Sequence, residues 1–88
     1  MSGSSALERG VAGFSFIAVD ELGVHVAPPL SAVEEERVEG LVRFLVKVIE
    51  ALERAGARGV RLELDWDGGM VIVRKGRDGV YGVYARPR

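Results

Sequence analysis

The segment between Pro29 and Gly56 constrains this chain more than any other feature: it admits only a helix, and a helix with an unusually wide apolar face. Ser31-Ala-Val-Glu34 has the form of a capping box, and Glu34, Glu35 and Glu36 complement the positive end of a helix dipole. Gly56 supplies a stop, with Arg54 in the last turn, so the spacing predicts a helix from about Ala32 to Ala55. At 100° per residue, with Val38 as origin, Leu41, Val42, Leu45, Ile49 and Leu52 fall within about 60° of it. Val48, Ala55, Phe44 and Ala51 extend the apolar arc to about half the circumference, while Glu39, Arg43, Lys47, Glu50 and Arg54 fill the other side. One packed surface needs little more than about 100°. Two contacts are therefore expected: a sheet beneath Val38, Leu45, Ile49 and Leu52, and something else against Phe44, Val48 and Ala51.

The flanking segments read mostly as strands. Ser5-Ala-Leu-Glu8 resembles a second capping box, which predicts a short helix from Ala6 to about Gly10. After Gly13, the two alternating sets of Phe14–Asp20 (Phe14, Phe16 and Ala18; Ile17 and Val19) are both apolar, as in a strand covered on both faces. Asp20-Glu-Leu-Gly23 reads as a turn into Val24–Ala27, which Pro28-Pro29 ends. Beyond the long helix, Val60–Trp66 alternates strictly, with Val60, Leu62, Leu64 and Trp66 on one face and Arg61, Glu63 and Asp65 on the other. Turns at Asp67-Gly-Gly69 and Gly76-Arg-Asp-Gly79 lead into strands Met70–Lys75 and Val80–Ala85. The order is helix, two strands, long helix, three strands: one α/β (α+β) domain over residues 1–88.

Composition narrows the function classes. A chain of 88 residues buries only roughly 60–65% of its unfolded surface, which makes self-association a natural source of stability. The absence of cysteine removes disulfides, thiolate metal sites and thiol chemistry. No apolar run reaches membrane-spanning length and the first residues do not resemble a signal peptide, so a cytoplasmic protein is expected. Asn, Gln and Thr are also missing, a pattern that fits a thermophilic source. A net charge of −1 creates no global field for nucleic acid or membranes. Locally, Arg74, Lys75, Arg77, Arg86 and Arg88 stand against Asp78 alone.

Candidate chemistry is sparse. His25 is the only histidine and reads as a strand residue opposite in direction to Val24 and Val26. Asp65 and Asp67 share a strand face, but a calcium loop's Glu at the twelfth position is replaced by Gly76. The glycine pairs read as turns, and no serine has a plausible base. Tyr81 and Tyr84 beside Arg74, Lys75 and Arg77 form the one arrangement suited to stacking on bases. No catalytic residue, metal or cofactor is expected.

Gly10-Val-Ala-Gly-Phe14, the strand ending at Val19-Asp20, Leu22-Gly-Val24, the capped long helix, and the Asp67-Gly-Gly69 and Asp78-Gly79 turns together resemble the Roadblock (dynein light chain) family in its short archaeal or bacterial single-domain form. The resemblance implies a five-stranded antiparallel sheet of Roadblock/profilin-like type with the long helix on one face. It implies homodimers through the long helices and third strands, here Leu41, Phe44, Val48 and Ala51 with Val60, Arg61, Leu62, Glu63 and Leu64. Members serve as scaffolds or regulators of Ras-like small GTPases, or as light chains of larger assemblies. The chain departs from the family in its very short first helix and in lacking a helix after the fifth strand. The face bearing Ile17, Val19, Val71, Val73, Tyr81 and Val83 is therefore expected to be incompletely covered and to receive a partner. In a two-fold pairing of Val60–Trp66, centring on Leu62 sets Arg61 opposite Glu63 and avoids opposed like charges. The alternative reading is a small nucleic-acid-binding module that uses the basic 74–88 segment.

Overall fold

The computed structural model describes residues 11–66 and 69–87. The helix expected at Ala6–Gly10 and the Asp67-Gly68 turn lie outside them, as does the side chain of Trp66. The described chain is α+β: strands β1 (Val11–Asp20) and β2 (Gly23–Ala27), helix α1 (Ala32–Arg54), then strands β3 (Arg61–Trp66), β4 (Gly69–Lys75) and β5 (Val80–Pro87). The five strands form one antiparallel sheet in the order β2-β1-β5-β4-β3. β2 and β4 each begin one residue before their expected start, and two strands run further past their expected bounds. β1 begins at Val11 rather than Phe14, and β5 reaches Pro87 rather than Ala85, because these two central strands pair with each other along their length, from Val11↔Pro87 to Val19↔Val80.

Local chemistry sets both ends of α1. Ser31 is the N-cap, its Oγ accepting the Glu34 N–H at 3.2 Å while its carbonyl accepts the Glu35 N–H at 2.8 Å. At the other end the Gly56 N–H donates to the Glu53 carbonyl at 3.0 Å, and the Ala57 N–H to the Leu52 carbonyl at 2.9 Å. That double closure needs a left-handed residue between helix and loop, and Gly56 supplies it with φ +104°.

The core lies between α1 and one face of the sheet. Val38, Val42, Leu45 and Ile49 of the helix meet Ile17, Val71, Val73, Val80 and Tyr84 of the strands, with Val60 alongside. Gly82 sits on this inner face against the Ile72 carbonyl and Val73, where a Cβ would clash. On the opposite, open face, Met70 and Ala85 form a small second cluster with Ile72. No helix among the described residues is long and apolar enough to cross a membrane.

The register corrects the expected membership of the open face. Ile17 pairs with Gly82 and Val71 with Tyr84, which places Ile17, Val19, Val71 and Val73 on the helix side; Ile17, Val71 and Val73 are fully buried there. Only Tyr81 and Val83 of that expected set point to the open side. Their companions are the other set of β1, since Phe16 pairs with Val83 and Ala18 with Tyr81. Both sets of β1 are apolar, so alternation by itself did not say which faces the helix.

Candidate functional site: two uncovered apolar surfaces

The first surface is a flank of α1. The groove between the helix and the β1–β2 turn is lined by Val19, Val24, Arg43, Val46 and Lys47, which places that side of the helix over β2. Leu41, Phe44, Val48 and Ala51 therefore lie on the side toward β3. Leu41 packs in part against the core and Val48 is half-buried, but Phe44 is 61% exposed and Ala51 is exposed. Leu52, expected to pack on the sheet, is 39% exposed and joins this flank instead. An exposed phenylalanine among aliphatic neighbours is an unpartnered apolar strip rather than a core position.

Edge strand β3 borders the strip. The Lys75 N–H donates to the Val60 carbonyl at 3.4 Å, and this bond sets the phase of the β3–β4 ladder. By alternation the backbone groups of Leu62 and Leu64 also turn toward β4, while those of Arg61, Glu63 and Asp65 face the open edge. Arg61, Glu63 and Leu64 are exposed, and Leu62 packs in part on the core. Val60 differs from expectation. It is buried in the chain's own core and is not offered to a partner.

The second surface is the open face of the sheet, which register lays out in rows. Ala27, Phe16, Val83, Ile72 and Glu63 form one row across β2-β1-β5-β4-β3. His25, Ala18, Tyr81, Arg74 and Arg61 form the next, and Phe14, Ala85, Met70 and Asp65 a third, in which Ala85 and Met70 are buried, so the uncovered part of the face is the first two rows. Phe16 is 67% and Tyr81 43% exposed at the middle of this field. Phe16, absent from the expected partner-binding set, is thus its most exposed large apolar residue. The signal was present in the sequence as the Phe14/Phe16/Ala18 alternation, but the choice between faces needed the register.

The remaining candidates separate. His25 Nε2 lies 3.0 Å from Asp20 Oδ1 at the rim of the open face, and both side chains are half-exposed. Asp20 also accepts the Leu22 N–H at 2.8 Å. The His25 hydrogen bond, then that of Leu22, hold the Asp20 carboxyl below its ordinary 3.8. The pair stabilises the β1–β2 turn, a contact the sequence reading missed because it crosses strands diagonally. Asp65 is exposed on the open face, and Asp67, its expected companion, lies outside the described residues.

The two tyrosines do not share a surface. Tyr84 is buried beneath α1 with its hydroxyl 3.4 Å from Glu34 Oε2, whereas Tyr81 lies on the open face paired with Arg74. Lys75 turns to the helix side, where its Nζ meets Glu53 Oε1 at 3.1 Å. The basic block is thereby dispersed over two faces. Glu34 is half-buried and Glu36 exposed, so the acidic run does not form one uniform patch. Ser15 is fully buried, its hydroxyl donating to the Pro28 carbonyl at 2.9 Å, and it ties β1 to the chain leaving β2. Comparison with protein-family models, curated proteins and solved structures returned no match for the chain.

Proposed function

We propose that this chain is a homodimeric, non-catalytic scaffold or regulator that acts in the cytoplasm by binding a partner protein, a Ras-like small GTPase. The dimer reading is supported by one observation above all: the exposed Phe44 strip runs beside a strand edge whose outward backbone groups have no strand partner among the described residues. A second copy satisfies both at once, burying Phe44, Val48 and Ala51 against their equivalents while β3 pairs with β3. The GTPase as partner rests on the Roadblock resemblance. The dispersal of Tyr81, Tyr84, Arg74 and Lys75 over two faces leaves the nucleic-acid alternative without a continuous basic stripe among the described residues.

Light scattering tests the dimer. The chain is expected to run as a dimer at low micromolar concentration, and Phe44→Glu to run as a folded monomer because it places an unpaired charge in an apolar contact. A monomeric mass at roughly ten times that concentration overturns the reading. Calorimetric titration with Ras-like GTPases loaded with GDP or a GTP analogue tests the partner. Heat of binding in either state supports it, and silence from an intact dimer removes the GTPase from the proposal.

A further inference from the structure

We propose that the open sheet face seats an amphipathic helix of the partner protein, with a carboxylate of that helix held by Arg74. This names the chemistry of the partner and rests on the partner-binding reading, though not on the dimer. The size of the face fits a helix. Two shallow hollows flank Tyr81, one lined by Phe16, Ala18, His25 and Ala27, the other by Ile72, Arg74 and Val83. They span β2 to β4, three inter-strand gaps of about 4.8 Å, or about 14 Å across. A helix with its side chains measures about 10–12 Å.

Charge selects the kind of helix. The rows through Phe16 and Tyr81 are apolar over β1 and β5; the His25–Asp20 pair occupies one rim, and the arginines stand at the opposite margin, on β4 and β3. There Arg74 stands directly opposite Arg61, a like-charge pair that disfavours the β3–β4 pairing. Arg61 has Glu63 at 3.8 Å, but Arg74 makes no ion pair among the described residues. A carboxylate above Arg74 relieves that repulsion and orients an apolar stripe over Phe16, Tyr81 and Val83. A phosphate backbone would instead need permanent cations repeated along its track, and this face has its two arginines, Arg61 and Arg74, side by side at one margin.

The test is an amide-resonance titration of the full chain with two synthetic 18-residue helical peptides. Both carry a Leu/Ala stripe; one has Glu and the other Lys along one border. The Glu peptide is expected to shift Phe16, Ala18, Ile72, Tyr81 and Val83 and to bind about tenfold tighter than the Lys peptide. Arg74→Gln should abolish that preference and Arg74→Glu reverse it. The same Arg74→Glu variant should melt higher than the native chain, because a carboxylate then faces Arg61. A residue with a merely structural role would not combine higher stability with inverted peptide preference. Equal binding of the two peptides, shifts confined to α1, or preference for a single-stranded RNA oligonucleotide overturns the proposal. So do contacts from residues 1–10 to Tyr81 in the free chain, or concentration-dependent shifts of this face without peptide, which would mean that it is filled by the chain itself or by a second copy. Running the titration on Phe44→Glu separates this inference from the dimer: a monomer that still prefers the Glu peptide retains the site even if the dimer reading fails.

Discussion

Tyr84 carries its ring into the core and its hydroxyl to the first turn of α1, so one side chain fastens the sheet to the helix start. Burial and then the neighbouring Glu34 charge raise the phenol above its ordinary 10.0, and the folded state thus favours the neutral form. The sign follows by linkage. The contribution is fully present below the unfolded value near 10 and is lost as pH rises from there through the folded value. Thermal melts from pH 8 to 11 should therefore show Tyr84→Phe losing less stability on the alkaline side than the native chain; parallel curves would refute this. At the same scale, Ser15 shows why a core serine was not legible in advance. Its partner, the Pro28 carbonyl, is 13 residues away, and only the packing of β1 against the chain after β2 brings them together. A buried hydroxyl with that acceptor is satisfied, which is the condition for a polar group to be tolerated there.

At the scale of elements, β3 and α1 each present one side to the chain's own core and one side outward. The outward backbone groups of β3 belong to Arg61, Glu63 and Asp65. A two-fold pairing centred on Leu62 suits this phase: each Arg61 would form a hydrogen-bonded pair with Glu63 of the other copy, and the two Leu62 would meet on the helix side. Within one chain Arg61 already reaches Glu63 at 3.8 Å in an exposed setting, a weak contact that leaves both groups available. Arg61→Glu should weaken the dimer by roughly 0.4–2 kcal/mol over its two equivalent pairs, and adding Glu63→Arg should restore it. Sedimentation equilibrium of the three proteins reads this directly, and a double variant as weak as the single one rejects the register.

At the scale of the whole molecule, the proposed dimerisation would couple stability to concentration, since a partner that binds only the folded chain stabilises it by mass action. The melting midpoint of the native chain should rise with protein concentration, and that of Phe44→Glu should not. Leu45→Ala lies one residue further along α1 but on its buried side, and it should destabilise the fold by roughly 2–5 kcal/mol. Denaturant melts of the two variants distinguish outer flank from core; similar losses would mean that α1 has no such division. What the sequence determined by itself was mainly local. The bounds of α1 follow from Ser31 and Gly56, whose hydrogen bonds span three to five residues, and the turns at Gly23 and Gly79 follow from short-range backbone geometry. The width of the apolar arc was likewise legible, because periodicity is a property of the helix alone, and the part of it that the sheet leaves uncovered is the flank of Phe44 and Ala51. Tertiary structure decided which way each strand faces. A strand alternates with period two, and when both alternating sets are apolar, as in β1, nothing local separates inside from outside. The pairings of Ile17 with Gly82 and Val71 with Tyr84 made that choice: they turned Ile17, Val19, Val71 and Val73, all expected on the open face, toward the helix and left Phe16 exposed beside Tyr81 instead.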